Sequence, residues 1–189
     1  MESNRISPCR FFVALLPPEE IQVQVSAIKQ QFADRYDSKA ALKSPPHITL
    51  QPPFEWAIDD VSTIQNQLYL FAQTHPAIPI TLNGFGAFPP RVIYVDVVKS
   101  SELLHLRQDL IQEFKTVFNL VNPIDEQRPF APHMTVAFRD LSRDHFKAAW
   151  PEFQTQSIHF DFVATHLTLL IHKGQRWIEH SNFTLNLDG

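Results

Sequence analysis

Residues 45–50 read PPHITL, and residues 131–136 read APHMTV. Each stretch sets a histidine after a proline and follows it with an apolar residue, a threonine and a second apolar residue. Side chains alternate along a strand. His47 and Thr49 are therefore expected on one face, with Ile48 and Leu50 inward, and His133 and Thr135 on one face, with Met134 and Val136 inward. A third string, HLTL at 166–169, keeps the letters but has Thr165 where the others have proline. It falls inside a long alternating run and reads as a structural strand, with His166 at most bordering a cleft.

Working outward, the two proline-led copies occupy matching places in a repeated plan. RFFVALL at 10–16 is an apolar run stopped by Pro17 and Pro18, as for a strand buried on both faces. The prolines suit a helix start, and Ile21, Val25, Ile28 and Phe32 then mark one face of a helix. After PPHITL, Asp59 is the expected N-cap of a second helix with Val61, Ile64, Leu68 and Phe71 on its face, and IPITLNGF at 78–85 reads as a strand. The second half begins with the strand RVIYVDVV from Arg91. A helix bearing Leu103, Leu106, Leu110, Ile111 and Phe114 follows it and leads to HMTV. Ser142 with Asp144 caps a shorter helix through Trp150. The runs SIHFDFVATHLTLLI and RWIEHSNFTLNL read as a closing hairpin around Lys173-Gly174-Gln175. Strand, helix, motif strand, helix, strand recurs in both halves, which is the signature of an internal duplication. No composition shift marks a linker, so residues 1–189 are expected to form a single bilobal domain, with lobes at about 10–86 and 91–187.

Composition limits the function. A chain of 189 residues, 44% hydrophobic with 16 Phe, supports one substantial core or two small lobes sharing one. The net charge of −4, without a block of like charges, gives no footprint for extended duplex nucleic acid. The single cysteine, Cys9, cannot form an internal disulfide. The opening MESNRISP lacks the regions of a signal peptide, and the run from Phe11 to Leu16 is too short to cross a bilayer. These features point to a soluble, cytoplasmic enzyme or binding module, expected as a monomer. His75, His105, His145, His159, His172 and His180 show no metal-ligand spacing. A structural or catalytic zinc is therefore not expected, and no glycine-rich phosphate loop appears either.

If the halves pack about a pseudo-twofold axis, two His-Thr pairs meet across one cleft. Two imidazoles facing one site suit transfer at phosphorus, where one accepts the proton of the attacking oxygen and the other donates one to the leaving oxygen. An ordinary imidazole pKa of about 6.5 gives access to both states near neutral pH. Each threonine hydroxyl can donate to a phosphate oxygen without bringing negative charge. Against this stand ordinary strand histidines bonded to backbone carbonyls, and threonines present only because strands favour them. Phe54, Trp56, Phe85 and Phe88 could stack on a base but read more simply as packing or rim residues.

PPHITL and APHMTV resemble the paired H-x-[ST]-x motifs of the two-histidine phosphoesterases, the superfamily of bacterial RNA 2′,3′-cyclic phosphodiesterases and 2′-5′ RNA ligases. RFFVALLPPEE, GFGAFPPRVIYVDV and RPFAPHMTVAF are similar to that family's opening, central and second-motif segments, in the right order. The resemblance implies an α+β, bilobal pseudo-twofold fold with two antiparallel sheets lining a central cleft and helices outside. It implies catalysis by His47 and His133, phosphate binding by Thr49 and Thr135, and no metal or cofactor. The implied substrate is a 2′,3′-cyclic phosphate at an RNA or small-nucleotide end, with 2′-5′ RNA ligation as the reverse activity. Alternatives are a 2′-5′ oligonucleotide or ADP-ribose cyclic phosphate hydrolase, and a non-catalytic RNA-end or nucleotide-binding module. Two departures bear on the substrate. QPPFEW follows the first motif where many relatives carry an aromatic or leucine and a glycine. Phe138 stands where relatives often carry arginine, with Arg139 one place later on the alternation face of His133.

Overall fold

The apolar run at 10–16 folds as β1 (Cys9–Leu15), the strand beside which the first sheet is laid. The computed structural model describes residues 8–121 and 129–187, so the MESNRIS opening lies outside the described residues. Phe11, Val13 and Leu15 of β1 enter the main core, while Phe12 and Ala14 join Leu170 in a small cluster on the opposite face. Both faces are covered, which is why the run shows no alternation.

The first run continues through α1 (Glu19–Tyr36), a 3₁₀ turn (Ala40–Lys43), β2 (Ile48–Trp56), α2 (Val61–Thr74) and β3 (Ile78–Phe88). The second comprises β4 (Val92–Val97), α3 (Ser101–Phe118), β5 (His133–Ala137), α4 (Arg143–Phe153) and β6 (His159–Ala164), and β7 (His166–Lys173) and β8 (Arg176–Thr184) close the chain. They build two four-stranded sheets, ordered β2-β1-β7-β8 and β5-β4-β3-β6, with every pairing antiparallel. In each sheet the motif strand is the edge and the lead strand of its half lies next to it. That is the expected α+β, pseudo-twofold arrangement. An edge position also explains how Pro52 and Pro53 stand inside β2, whose register with β1 is irregular.

Three expectations change. The stretch SIHFDFVATHLTLLI is not one arm of a hairpin: β6 pairs with β3 in the second sheet, and β7 crosses to pair with β1 and β8 in the first. The cause is a slip in phase at Thr165. Phe160, Phe162 and Ala164 turn inward before it and Leu167, Leu169 and Ile171 after it, so one unbroken strand would expose one of the two sets. The sheets therefore do not follow the chain halves 10–86 and 91–187. The second sheet is one continuous piece, β3 to β6, set between strands of the first. The third change concerns α2, whose N-cap is Asp60 after a short turn at Ile58–Asp60, not Asp59.

The other starts and stops follow the sequence. Ser100 and Ser142 accept bonds from the backbone N–H of Leu103 and His145 at the heads of α3 and α4, and Gly174, at φ 61°, opens the two-residue loop between β7 and β8. Ile21, Val25 and Phe32 of α1, Ile64, Leu68 and Phe71 of α2, and Leu103, Leu106, Leu110 and Phe114 of α3 are buried in one core with the inner residues of both sheets. Both crossings between sheets pass the C-terminal segment. Leu185 N donates to Thr165 O, Asn186 N to the carbonyls of Ala72 and His75, and Ala77 N to Asn186 O. Among the described residues no helix is long and apolar enough to cross a membrane.

Candidate active site

The two motif strands end at a common cavity of about 490 Å³, lined by His47 and Thr49 from the first sheet and by His133 and Thr135 from the second. Ile48, Leu50, Met134 and Val136 are buried behind them, as alternation requires. The structure thus brings together all four residues singled out in the sequence.

The proline lead has a local consequence. His47 Nδ1 lies 2.7 Å from Pro45 O, and His133 Nδ1 lies 2.7 Å from Ala131 O. A carbonyl only accepts, so in both rings Nδ1 carries the hydrogen and donates it, leaving Nε2 to a ligand. In both motifs the carbonyl belongs to the residue before a proline, which is confined to extended backbone, and the proline itself has no N–H to compete for it. The same ring orientation is thereby set twice.

The surroundings of the rings differ. Burial pulls His47 down to about 4, opposed by the Pro45 carbonyl bond and reinforced by the positive charges of Lys29 and His133. Burial also lowers His133, but there both the Ala131 carbonyl bond and the carboxylate of Asp96, its cross-strand neighbour, favour the charged form. The two imidazoles are close enough that charge on His133 disfavours charge on His47. Aromatic rings flank both: Phe12 lies 4.8 Å from His47 by centroid, and Tyr94 and Phe88 lie 5.1 and 5.2 Å from His133. Gly86 is paired across from Tyr94, and a Cβ there would collide with the tyrosine ring, so only glycine leaves that ring its place.

Arg139 reaches the cavity, though not by strand alternation: β5 ends at Ala137, and Arg139 sits in a turn with φ 59°, its guanidinium over the Phe138 ring. The next residue, Asp140, accepts bonds from Ser38 Oγ and from the backbone N–H groups of Lys39 and Ala40, capping the turn that carries Lys43 and Ser44 to the cavity. His166 lies elsewhere, in a separate hollow with Thr165 and Thr168, and HLTL is a structural strand. Phe54 is buried against Phe11 and Phe114, while Trp56 packs edge-on against Phe118 and Phe85 edge-on against Phe153. Of the four aromatic candidates only Phe88 lines the cavity.

Sequence reasoning missed most of the wall. Arg10, Phe12, Lys43, His172 and Trp177 also line it, with Trp177 edge-on to Phe12 and His172 and beneath Arg10. Arg10 and Phe12 alternate on one face of β1, a signal hidden because RFFVALL is apolar on both faces. Three cations and no carboxylate appear among the described residues lining the cavity, in a chain of net charge −4. The site suits an anion. Among the described residues no three His, Cys, Asp or Glu side chains are grouped to hold a metal ion.

Facing sheets that each present one proline-led histidine to a shared cleft define the two-histidine phosphoesterase fold. Among solved structures, a Thermus thermophilus protein superposes with a TM-score of 0.70 at 18% identity, covering 95% of this chain and 100% of the other. E. coli LigT in complex with 3′-AMP gives 0.67 at 20% identity, covering 94% and 98%. The chain belongs to the 2′-5′ RNA ligase superfamily, whose family profile matches residues 17–176. A provisionally named phosphoesterase of Geobacillus kaustophilus is 28% identical over 166 residues, spanning 85% of this chain and 87% of that one.

Proposed function

We propose that this phosphoesterase opens a 2′,3′-cyclic phosphate at an RNA or nucleotide end by histidine acid–base catalysis. The observation that carries the proposal is the pair of imidazoles, each fixed through Nδ1 to a backbone carbonyl and each offering Nε2 to one cavity with no carboxylate among its described lining residues. His47, the ring held more firmly neutral, takes a proton from water as the water oxygen attacks phosphorus. The bond from phosphorus to O2′ or O3′ breaks, and His133 gives the leaving oxygen its proton. One water is added, a phosphomonoester and a free hydroxyl result, and proton exchange with solvent resets the rings. Thr49, Thr135 and Arg139 donate to the non-bridging oxygens, where charge builds in the transition state. An RNA 5′-hydroxyl in place of water, with the bond to O3′ as the one that breaks, would make a 2′-5′ bond by the same proton transfers.

The wall of Phe12, Trp177 and His172, with Arg10 over the tryptophan, supports a nucleotide rather than a bare phosphoester, because base faces stack on such surfaces. LigT has been crystallised with 3′-AMP, NADP+ and ATP, and these ligands support the same size class here. The test is turnover, with EDTA present, of a panel of 2′,3′-cyclic nucleotides, 2′-5′ linked oligonucleotides and ADP-ribose cyclic phosphate. Cyclic-nucleotide opening that disappears in both His47→Ala and His133→Ala supports the reading. Turnover retained by both variants, or lost on chelation, defeats it. Tight binding of the panel without turnover would make the protein a binding module.

A further inference from the structure

Lys29 is a charged group that the mechanism above leaves unused. It stands on the core-facing side of α1 between Val25 and Phe32 and is only 2% exposed. Its Nζ donates to the Ser44 carbonyl at 3.0 Å, and among the described residues no carboxylate lies within ion-pair reach of it. An ammonium taken out of water with only a neutral partner costs stability where it stands. Its position relates it to the site. Ser44 O takes the lysine, and the next carbonyl along the chain, Pro45 O, takes His47 Nδ1. Pro45 and Pro46 have fixed φ and no N–H, so a segment pinned at Ser44 transmits that anchor to the imidazole.

We propose that Lys29 is a positioning residue for the first histidine: its ammonium, anchored on the Ser44 carbonyl beneath the motif, disfavours a second positive charge on His47 and so fixes that ring as the proton acceptor. This rests on the acid–base reading given above. The arrangement is one-sided, because His133 has Asp96 as its charged neighbour, so a pseudo-symmetric pair acquires a direction. The other groups facing His47 leave the bias in place. They are Arg10 from β1, Lys43 from the 3₁₀ turn, His133 and Arg139 from the second lobe and His172 from β7, none of them an acid. Where α4 meets α1, at its far end, Glu152 is taken by Arg35 and Tyr36. The low proton affinities of Lys29, near 7 in its burial, and of His47 agree with two basic groups sharing one poorly solvated pocket.

The test needs no substrate in its first arm. Ring-nitrogen NMR of the full-length wild-type protein should show His47 titrating well below an ordinary histidine, with a second inflection near pH 7 as Lys29 discharges. A single inflection overturns the proposal. In Lys29→Met, which keeps the length and removes the charge, the His47 titration should rise by about one unit. The acid limb of kcat/KM should move with it, lowering the rate about tenfold below that limb and leaving the alkaline side within about twofold. Tm should stay level or rise, since a buried ammonium gives way to an apolar chain. An unmoved His47 titration, or a lower Tm with equal loss of rate at every pH, overturns the proposal and shows Lys29 to be structural only. These outcomes stand apart from the functional reading, which is decided by the turnover of the histidine variants, by chelation and by the substrate panel.

Discussion

The first motif and the second share a backbone and differ in their charges. Each ring is held by the carbonyl two residues before it at 2.7 Å, yet His47 sits near a buried ammonium and His133 beside a carboxylate. Symmetry supplies two equivalent ring nitrogens at one cavity. In the proposed mechanism, departure from symmetry is what makes His47 the proton acceptor and His133 the donor.

The harshest way to break the comparison is to remove the rings. His47→Ala and His133→Ala should each lower kcat by about 10²–10⁴-fold with unchanged circular dichroism, and the double variant should cost little more than the worse single one. A variant losing less than about tenfold would show that only one lobe does the chemistry. Thr49→Val and Thr135→Val should each lower kcat/KM by about 10–100-fold, as expected for a lost bond to a charged oxygen. Steady-state kinetics on a cyclic nucleotide would show whether the lobes share the phosphate equally.

A pH profile sharpens the contrast further. In kcat/KM, which reports the free enzyme, the acid limb should fall where His47 titrates, at about 4, and the alkaline limb where His133 discharges, below 6.5. Outside that window the rate should drop about tenfold per pH unit. A profile level up to pH 8 would contradict the assignment of roles. Both rings bind protons more weakly folded than unfolded, so the unfolded chain takes up more protons between about 4 and 6.5 and stability should fall as the pH is lowered through that range. The smallest effect belongs to the tie across the cleft. Asp140→Asn keeps one acceptor oxygen but turns an amide toward the N–H groups of Lys39 and Ala40. It should cost about 1 kcal/mol in urea unfolding, comparable to loss of a helix cap, and raise KM more than it lowers kcat.

Much of this architecture was legible in the sequence because the motif residues alternate cleanly. Ile48, Leu50, Met134 and Val136 are large and apolar, so His47, Thr49, His133 and Thr135 had one face left to occupy. The cavity wall was less legible. Phe12 lines the cleft from a strand apolar on both faces, and Arg139 arrives through a turn with positive φ that alternation cannot foresee. Trp177 and His172 are brought in by the chain crossing at Thr165, where the inward set changes from even to odd numbers. Lys29 was hidden for the opposite reason: a lysine on a helix normally marks the solvated face.

That crossing also has a consequence for how the molecule is made. The second sheet is complete once β6 has formed, and its strands are neighbours in the chain. The first sheet must wait, because Phe11 to Ala14 of β1 pair with Thr168 to Ile171, which lie near the opposite end of the sequence. Until β7 is synthesised, β1 has a free edge and apolar faces, the conditions under which a nascent chain pairs wrongly. The first histidine's lobe is thus begun first and finished last, and the two imidazoles share a completed cavity only once β7 arrives, bringing His172 to its wall.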